Sequence, residues 1–383
     1  MSSRGGGNAV AAWALQALRE EFEVTLAALA PPDYPAVNDS FGTSLGPNDF
    51  TVRIAPRSYR VAIGCLPTPG ALMEACVMMR WAQELDRRER FDVILSTQNE
   101  ADFHRPSIQY VHFPWSYLPR PENELRWYHR IPGALALYRG SCARLAHCSD
   151  AGMRGNLSLA NSSFVADRIK KVHGVDSLIL HPPVPGNFPQ IPWQQKLPSV
   201  VAVGRMNGCK RWEDAVEIVE RVRSRGIGLG LTLISHQDDV EYGRRIAALA
   251  ASRPWFRIRS ELSREELVAE VTRHRYGIHT MVDEHFGIAV AELLRAGCVT
   301  FVHNSGGPVE IVGNRAELTF NDTGEAAEKI AATILDRARE ESLRSFIESR
   351  REEFSTERFC AGLVDVVRNF KEIPQAQVVP LAS

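Results

Sequence analysis

The sequence predicts an α/β protein of two domains, in which strands of parallel sheets alternate with helices. Three observations support this prediction. The chain has 383 residues, which is enough for two domains of ordinary size. A proline-dense segment, 181–198, separates two patterned regions and is typical of a stiff linker. After it, β-branched runs alternate with helical apolar stripes, the pattern of a parallel sheet covered on both faces by helices.

The first half of the chain, 1–181, shows the same alternation in a less regular form. Its predicted elements are helices over 9–18, 72–88 and within 159–174, and strands over 23–29, 91–96 and 108–113. The glycine run at 5–7 is typical of a turn between a first strand and a first helix, where backbone N–H groups can approach a phosphate or sugar. Too few residues precede this run to form a strand, so we expect the first strand of this domain either to lie upstream of Met1 or to be missing.

The second half, 199–354, alternates strand and helix more clearly. Its predicted elements are strands over 199–203, 229–234, 276–281 and 299–303, and helices over 212–226, 239–252, 287–296 and after a capping box at Ser263 and Glu266. A terminal helix over about 356–370 lies in a third segment, 355–383. Ligands of such sheets bind at the carboxyl ends of the strands, so the loops that follow these strands are candidate site loops.

Composition disfavours several classes of function. The net charge of −1 gives no reason to expect a nucleic-acid partner. The seven cysteines show no CxxC pair or Cys/His cluster of metal-ligand spacing, which argues against structural zinc and fits a reducing compartment. No apolar run approaches the ~18–20 residues that span a bilayer, and the N-terminus lacks the apolar core of a secretory signal. A strand–GxGxxG–helix unit is also lacking, which disfavours a dinucleotide oxidoreductase. We therefore expect a cytoplasmic protein.

Two acidic residues, Glu284 and Glu292, stand eight positions apart around a predicted helix start at Gly287 and Ile288. The free N–H groups of a helix start attract phosphate, and carboxylates accept hydrogen bonds from the hydroxyls of a sugar or ribose. A second glycine-rich strand-end turn follows at 304–308. Together these features predict a site for a sugar nucleotide. The alternative is an acidic first turn that stabilises its helix without any ligand.

Two cations follow another strand of the same predicted sheet. Gly204 and Arg205 come directly after the strand that ends at Val203, and Lys210 lies five residues beyond Arg205. Such a loop suits a pyrophosphate that leaves with extra negative charge. A solvated basic loop is the alternative, since exposed Arg and Lys are common. The sequence has no D-x-D motif, so these cations and a helix dipole would neutralise the pyrophosphate without a metal.

His112 stands at the carboxyl end of a first-domain strand, where it could face a ligand; a structural histidine is the alternative. Further on, Arg120, Arg126 and the run 127–130 form an aromatic-basic patch. Such a patch can touch an anionic lipid headgroup, although a packed surface helix would have the same composition. Peripheral contact with a membrane therefore stays open.

The segment from Tyr276 to Glu292, together with 304–308, resembles the retaining glycosyltransferases of family 4. The sequence of this segment is most similar to those of the α-1,2-mannosyltransferases of that family, which extend dolichol-linked oligosaccharides. The resemblance covers most of the chain and implies the GT-B fold, two Rossmann-like domains facing across a cleft. It assigns 1–181 to an acceptor-side domain, 199–354 to a donor-binding domain, and 355–383 to a C-terminal helix that returns to the first domain, with its tail.

The resemblance also implies a role for each candidate residue. Arg205 and Lys210 would bind the diphosphate, Glu284 would hold the hydroxyls of the transferred sugar, and His112 would lie near the reacting sugar. Glu292 would bind the ribose. The remaining donor-binding positions would act through backbone close to the ligand, and they are Phe286, Gly287, Ile288, Gly204, Gly6 and Gly7.

The implied reaction moves a hexose onto a glycan or lipid-linked acceptor, with retention of configuration and with no metal or cofactor. Mannose from GDP-mannose is the first choice of donor, and a UDP-sugar stays open. The alternative is a non-catalytic sugar-nucleotide-binding relative or scaffold, which the incomplete first domain motivates.

Overall fold

The computed structural model of the chain describes residues 5–64, 72–118, 131 and 133–372. The chain forms two compact units. Unit 1 comprises Met1–Pro183 and Phe359–Ser383, and unit 2 comprises Val184–Arg358. The aromatic-basic patch at 120–130 lies outside the described residues. Among the helices of the described ranges, none is both long enough and apolar enough to cross a membrane.

All strand pairing between the named strands of the described residues is parallel, as expected for an α/β chain. The strands are β1 (Thr25–Ala28), β2 (Thr51–Ile54), β3 (Leu95–Ser96), β4 (Ile108–Val111), β5 (Leu157–Ala160), β6 (Leu178–Ile179), β7 (Leu197–Val203), β8 (Gly230–Ser235), β9 (Phe256–Ser260), β10 (His274–His279), β11 (Val299–His303) and β12 (Thr319–Phe320).

Helices connect these strands and cover the sheets. They are α1 (Gly6–Leu18), α2 (Tyr34–Phe41), α3 (Arg57–Gly64), α4 (Leu72–Glu89), α5 (Ala134–Ala146), α6 (Asp150–Arg154), α7 (Ser163–His173), α8 (Trp212–Arg223), α9 (Val240–Ala251), α10 (Arg264–Thr272), α11 (Ile288–Arg295), α12 (Pro308–Ile311), α13 (Thr323–Leu335), α14 (Arg337–Arg350) and α15 (Thr356–Arg368).

Unit 2 is built on a six-stranded sheet in the order β12-β11-β10-β7-β8-β9. The first strand of the unit, β7, is therefore central, and the chain winds outward from it in both directions. Its last four residues are all buried, as expected of a strand covered by helices on both faces. The winding direction reverses between β7 and β10, and ligands of doubly wound sheets bind at the carboxyl ends of the strands at such a switch point.

The helices of unit 2 cover this sheet with apolar stripes. In α8, Trp212, Ala215, Val216, Val219 and Val222 recur at helical spacing, and all five are buried in one large core cluster with the strands. This core holds the sheet rigidly from both sides, so the loops at the strand ends start from fixed positions.

Unit 1 contains the pair β1-β2 and the four-stranded sheet β3-β4-β5-β6. The C-terminal helix α15 completes its core, because Phe359, Leu363 and Val367 are buried in one cluster with Val10 of α1 and Ile108 of β4. Helix α15 thus packs with α1 and β4 of unit 1.

Several predicted elements have different boundaries in the structure, and two of these differences bear on candidate site residues. Strand β10 ends at His279 rather than at residue 281, and the hydroxyl of the next residue, Thr280, bonds to backbone carbonyls of the β7–α8 loop. Gly6 and Gly7 were expected in a turn, yet they form the first turn of α1 after Gly5, whose φ is 95°. Glycine is tolerated there, because the first N–H groups of a helix have no intrahelical partner to lose.

Candidate functional site

Two loops meet at the switch point of the unit 2 sheet. One follows β7 and runs through Gly204 and Arg205 to a single 3-10 turn, Gly208–Lys210; the other follows β10 and runs from Thr280 to Glu284. The Thr280 hydroxyl joins them, since it donates to the Lys210 carbonyl at 2.6 Å and to the Arg211 carbonyl at 3.1 Å. Strand order therefore brings together side chains that are about seventy residues apart in the sequence.

Lys210 and Glu284 form an ion pair between these loops. Their side chains are only 11% and 18% exposed, and the Lys210 ammonium also lies 3.2 Å from the Met281 sulfur. Burial alone would raise the pKa of Glu284, but the charge of Lys210 and the contact with His279 outweigh it and hold that pKa well below its ordinary value. Glu284 is thus an ionised hydrogen-bond acceptor next to a cation.

His279 is a third member of this cluster that the sequence analysis missed. Its side chain is 2% exposed, and its Nε2 lies 3.5 Å from Glu284 Oε2. Burial lowers the pKa of His279 despite the neighbouring carboxylate, so the imidazole is uncharged at neutral pH. Its position as the last residue of β10 was a usable signal, but the predicted strand ran two residues too far and concealed it.

The N-terminus of α11 lies directly after Glu284. Gly287 is the residue before the helix, with a φ of 98°, and the helix begins at Ile288. The first N–H groups of α11 have no intrahelical partners and carry the positive end of the helix dipole. Phe286, the preceding residue, is buried in the core and anchors this turn. The site therefore offers an anion-binding helix start beside the Lys210 charge.

A second glycine turn, at Ser305, Gly306 and Gly307, packs against the Glu284 loop. The Gly307 N–H donates to the Glu284 carbonyl at 2.8 Å, and the Asp283 N–H donates to the Ser305 hydroxyl at 2.8 Å. A β-carbon on Gly306 would come 2.3 Å from the Glu284 carbonyl oxygen, and one on Gly307 would come 2.5 Å from that of His285. Glycine is required here because the two backbones touch.

Glu292 lies on α11 and is 5% exposed. It pairs with Arg264 at the start of α10, a residue that the sequence analysis did not single out. Arg264 and Glu292 are 28 positions apart, and an arginine beside a capping box is typical of an exposed position. The sequence therefore gave no signal for this contact.

Arg205 and Gly204 play different parts. The Arg205 side chain is 58% exposed and lies 3.4 Å from Asp238, so it is an exposed cation and is not bonded to the Lys210–Glu284 pair. Gly204 lies under this pair, since a β-carbon there would come 3.1 Å from the Trp212 ring and 3.4 Å from the Lys210 side chain. The absence of a side chain leaves room for the aliphatic part of Lys210.

The remaining predicted residues belong to unit 1. His112 directly follows β4, its N–H donates to Asn99 at 2.7 Å, and its Nε2 lies 3.0 Å from the Thr97 carbonyl oxygen. A β-carbon on Gly7 would come 3.3 Å from the same Nε2, while Gly6 opens α1. The structure thus places Gly7 and His112 side by side. Within the described ranges, no group of three or more His, Cys, Asp or Glu side chains is arranged to hold a metal ion.

Unit 2 is similar to a family of known proteins. Residues 185–353 match the family described as Glycosyl transferases group 1. The mouse GDP-Man:Man(3)GlcNAc(2)-PP-Dol alpha-1,2-mannosyltransferase is 33% identical over 103 residues, 27% of this chain and 16% of the mouse protein. The human enzyme of that name is 27% identical over 175 residues, 41% of this chain and 36% of the human protein. The chain therefore spans only about a sixth to a third of the length of these relatives.

Solved structures resemble the whole chain. Anabaena HepE, in a crystal structure with UDP and glucose, matches with a TM-score of 0.66 at 12% identity. The match covers 96% of this chain and 98% of the HepE chain. Sucrose-phosphate synthase from Thermosynechococcus elongatus matches with a TM-score of 0.66 at 14% identity and covers 97% of this chain and 95% of its own. Likenesses at such low identity show the fold alone, and they confirm the predicted GT-B class.

Gly306→Ala is expected to destabilise the protein more than Gly226→Ala. Both glycines have a left-handed φ, 79° and 84°, but only Gly306 has neighbouring atoms where a β-carbon would lie. Gly226→Ala should cost about 1–2 kcal/mol through backbone strain alone, and Gly306→Ala a further ~1–3 kcal/mol from the collision. Urea unfolding of both variants measures the difference. Equal losses would show that the glycine turn does not press on the Glu284 loop.

Lowering the pH is expected to reduce the stability of unit 2 before most carboxylates are protonated. Burial lowers the pKa of His274 to about 4, and it lowers the pKa values of His279 and His303 as well. The unfolded chain therefore binds protons below pH ~6.5 that the folded chain does not, so stability falls as pH falls from 6.5 towards 4. His274 alone contributes up to about 3 kcal/mol to this loss.

Urea unfolding at pH 7 and pH 5 tests this expectation. His274→Gln should flatten the decline between the two pH values, because glutamine does not titrate. A variant with the same decline as the wild type would contradict the assignment of a buried neutral imidazole.

Proposed function

We propose that this protein is a retaining, metal-independent glycosyltransferase that moves a hexose from a nucleotide-sugar donor to a glycan or lipid-linked acceptor. Mannose from GDP-mannose is the proposed donor, since the matched relatives are named for that substrate. The observation that carries the proposal is the Lys210–Glu284 pair, which joins two strand ends at the sheet's switch point directly before the start of α11.

The diphosphate of the donor would bind between Lys210 and the N-terminus of α11. An ammonium group has three N–H donors, so Lys210 can keep Glu284 and bind a phosphate oxygen at the same time. The free N–H groups of α11 would supply further donors without side-chain ordering. Arg205 is exposed and could fold onto the phosphates from the rim.

The hexose would be held by Glu284. Its depressed pKa keeps it ionised, so it can only accept hydrogen bonds, and sugar hydroxyls are the donors that match it. The backbone at Phe286, Gly287 and Ile288 would border the same ring. Glu292, one turn into α11, would accept a hydrogen bond from a ribose hydroxyl of the nucleotide.

The proposed reaction is a front-side displacement. The bond between the anomeric carbon and the leaving phosphate oxygen breaks, and a bond to the acceptor hydroxyl oxygen forms on the same face of the sugar. The acceptor proton passes to the leaving phosphate oxygen. Lys210 and the α11 dipole would stabilise the charge that develops on that phosphate. His112 is the proposed residue of unit 1 near the reacting sugar.

The setting of this reaction is also a proposal. A lipid-linked acceptor would be met at the cytoplasmic face of a membrane, where peripheral contact through unit 1 would suffice. The composition of the chain fits a cytoplasmic protein, and we propose that location.

Glu284→Gln and Lys210→Ala should each lower the rate of transfer about 10²–10³-fold, because each removes a fixed charge that acts on the reacting donor. The measurement is steady-state transfer with purified protein, alongside thermal unfolding to show that each variant is folded. Asp283→Asn is the matched control: it changes the adjacent residue, whose φ of 52° asparagine tolerates, and should keep its activity. Turnover like that of the wild type in folded Glu284→Gln would sink the proposal.

Donor identity can be tested by the stability that binding adds. A ligand that binds only the native state stabilises it by about 4 kcal/mol at 1,000 times its Kd. Thermal unfolding with GDP-mannose, UDP-glucose and UDP-N-acetylglucosamine should show the largest rise for GDP-mannose. A larger rise with a UDP-sugar would replace the proposed donor, and no rise with any of the three would contradict a nucleotide-sugar site.

A further inference from the structure

Arg264 links Glu292, the proposed hydrogen-bond acceptor for the ribose, to the chain segment around Pro185 at the start of unit 2. Its Nη1 donates to Glu292 Oε1, and its Nη2 donates to the Pro185 carbonyl. The side chains of Arg264 and Glu292 are 18% and 7% exposed, so the pair is largely removed from water. The capping box of Ser263 and Glu266 fixes the backbone on which Arg264 stands.

This contact uses only one of the two oxygens of the Glu292 carboxylate. Oε1 takes the arginine, whereas Oε2 accepts no hydrogen bond from any residue in the described part of the chain. A carboxylate oxygen with no donor bound to it can accept a hydrogen bond from a hydroxyl, so Oε2 is the oxygen left for a ligand.

The guanidinium is itself held in one orientation. Its two terminal nitrogens go to different partners, and its Nε is buried without a partner among the described residues. The Pro185 carbonyl is fixed by the turn at Gly186, whose φ of 115° suits glycine alone. The guanidinium is planar, and the Pro185 carbonyl fixes one of its terminal nitrogens. The other terminal nitrogen can therefore orient the Glu292 carboxylate that it binds.

We propose that Arg264 is a positioning residue for the ribose of the nucleotide: it turns Glu292 so that Oε2 receives a ribose hydroxyl. This inference rests on the proposed function. Arg264 itself does not touch the ligand; it removes the rotational freedom of the Glu292 carboxylate and neutralises its buried charge. The ribose contact is the same before and during the reaction, so Arg264 should affect donor binding rather than the chemical step.

Arg295 provides a matched control for this role. It is also largely buried, its guanidinium donates to the neighbouring carbonyl of Val184, and it lies 5.1 Å from the Phe188 ring centroid, against 5.8 Å for Arg264. Arg295 therefore holds the same chain segment with the same chemistry. Its ion-pair partner in the described part of the chain is Glu352 rather than Glu292.

The kinetic test compares Arg264→Ala, Arg264→Lys and Arg295→Ala, each shown to be folded by thermal unfolding. Arg264→Ala should raise the donor KM about tenfold and change kcat less than twofold, because a charge-assisted hydrogen bond is lost from the ground state and the transition state alike. Arg264→Lys should recover part of the KM, since an ammonium can pair with Glu292 without the planar fork. Arg295→Ala should keep the KM of the wild type.

A binding test isolates the ribose. Kd values are measured by calorimetry for GDP and for 2′,3′-dideoxy-GDP, or for the uridine pair if the donor screen selects uridine. The wild type should bind the dideoxy nucleotide about tenfold more weakly than GDP. Arg264→Ala should bind both nucleotides with nearly the affinity that the wild type has for the dideoxy form, whereas Arg295→Ala should discriminate like the wild type.

The outcomes separate this inference from the proposed function. If Arg264→Ala weakens both nucleotides by the same factor, or if Arg295→Ala loses discrimination equally, Arg264 acts on the fold and the inference is overturned. If the wild type binds neither nucleotide, the proposed function fails and this inference fails with it.

Discussion

The parallel pairing of β7 with β10 is the constraint on which the candidate site depends. These strands lie side by side, with Val200 opposite Tyr276 and Val201 opposite Gly277, although helices and two further strands separate them in the sequence. Because both strands run in the same direction, the loops that leave them emerge at the same edge of the sheet. A shift of register by one residue would turn every side chain at these strand ends to the other face.

Gly277 shows how closely this arrangement is packed. A β-carbon there would come 2.7 Å from Thr300 on β11 and 2.9 Å from Leu293 on α11. The missing side chain therefore lets α11 approach the sheet, and its N-terminus reaches the level of the strand ends. Without that approach the helix dipole would lie farther from Lys210, and dipole effects fall off within the first turn.

The charges at the site are not explained by stability. Replacing a buried ion pair with apolar side chains is often neutral or stabilising, so the Lys210–Glu284 and Arg264–Glu292 pairs give unit 2 little that a hydrophobic contact would not. Both pairs involve a carboxylate at or near the start of α11, and both hold the carboxylate by a cation from another element. Such cations keep the acceptors ionised and aimed, which is useful to a ligand that brings hydroxyls and phosphates.

Much of this site could be predicted from the sequence because it depends on local features. Glu284, Gly287 and Glu292 lie on one strand–loop–helix unit, and Lys210 follows a strand whose central place in the sheet its apolar run indicates. Arg264 and His279 could not be found in the same way. The contact of Arg264 with Glu292 depends on how α10 packs beside α11, and the role of His279 depends on where Thr280 leaves the strand. The first is a tertiary effect that no local pattern contains, and the second was concealed because the predicted strand ran on to residue 281.

The contact between the Glu284 loop and the turn at Gly306 has a consequence for how this protein can change over generations. A side chain added at Gly306 would meet the backbone of the other loop rather than a movable group, so no rearrangement of side chains can make room for it. The conformations of the two loops are therefore coupled in evolution. A change of conformation in one loop is tolerated only with a matching change in the other. Variation in what the protein recognises has to arise elsewhere, in segments that are free to differ one residue at a time.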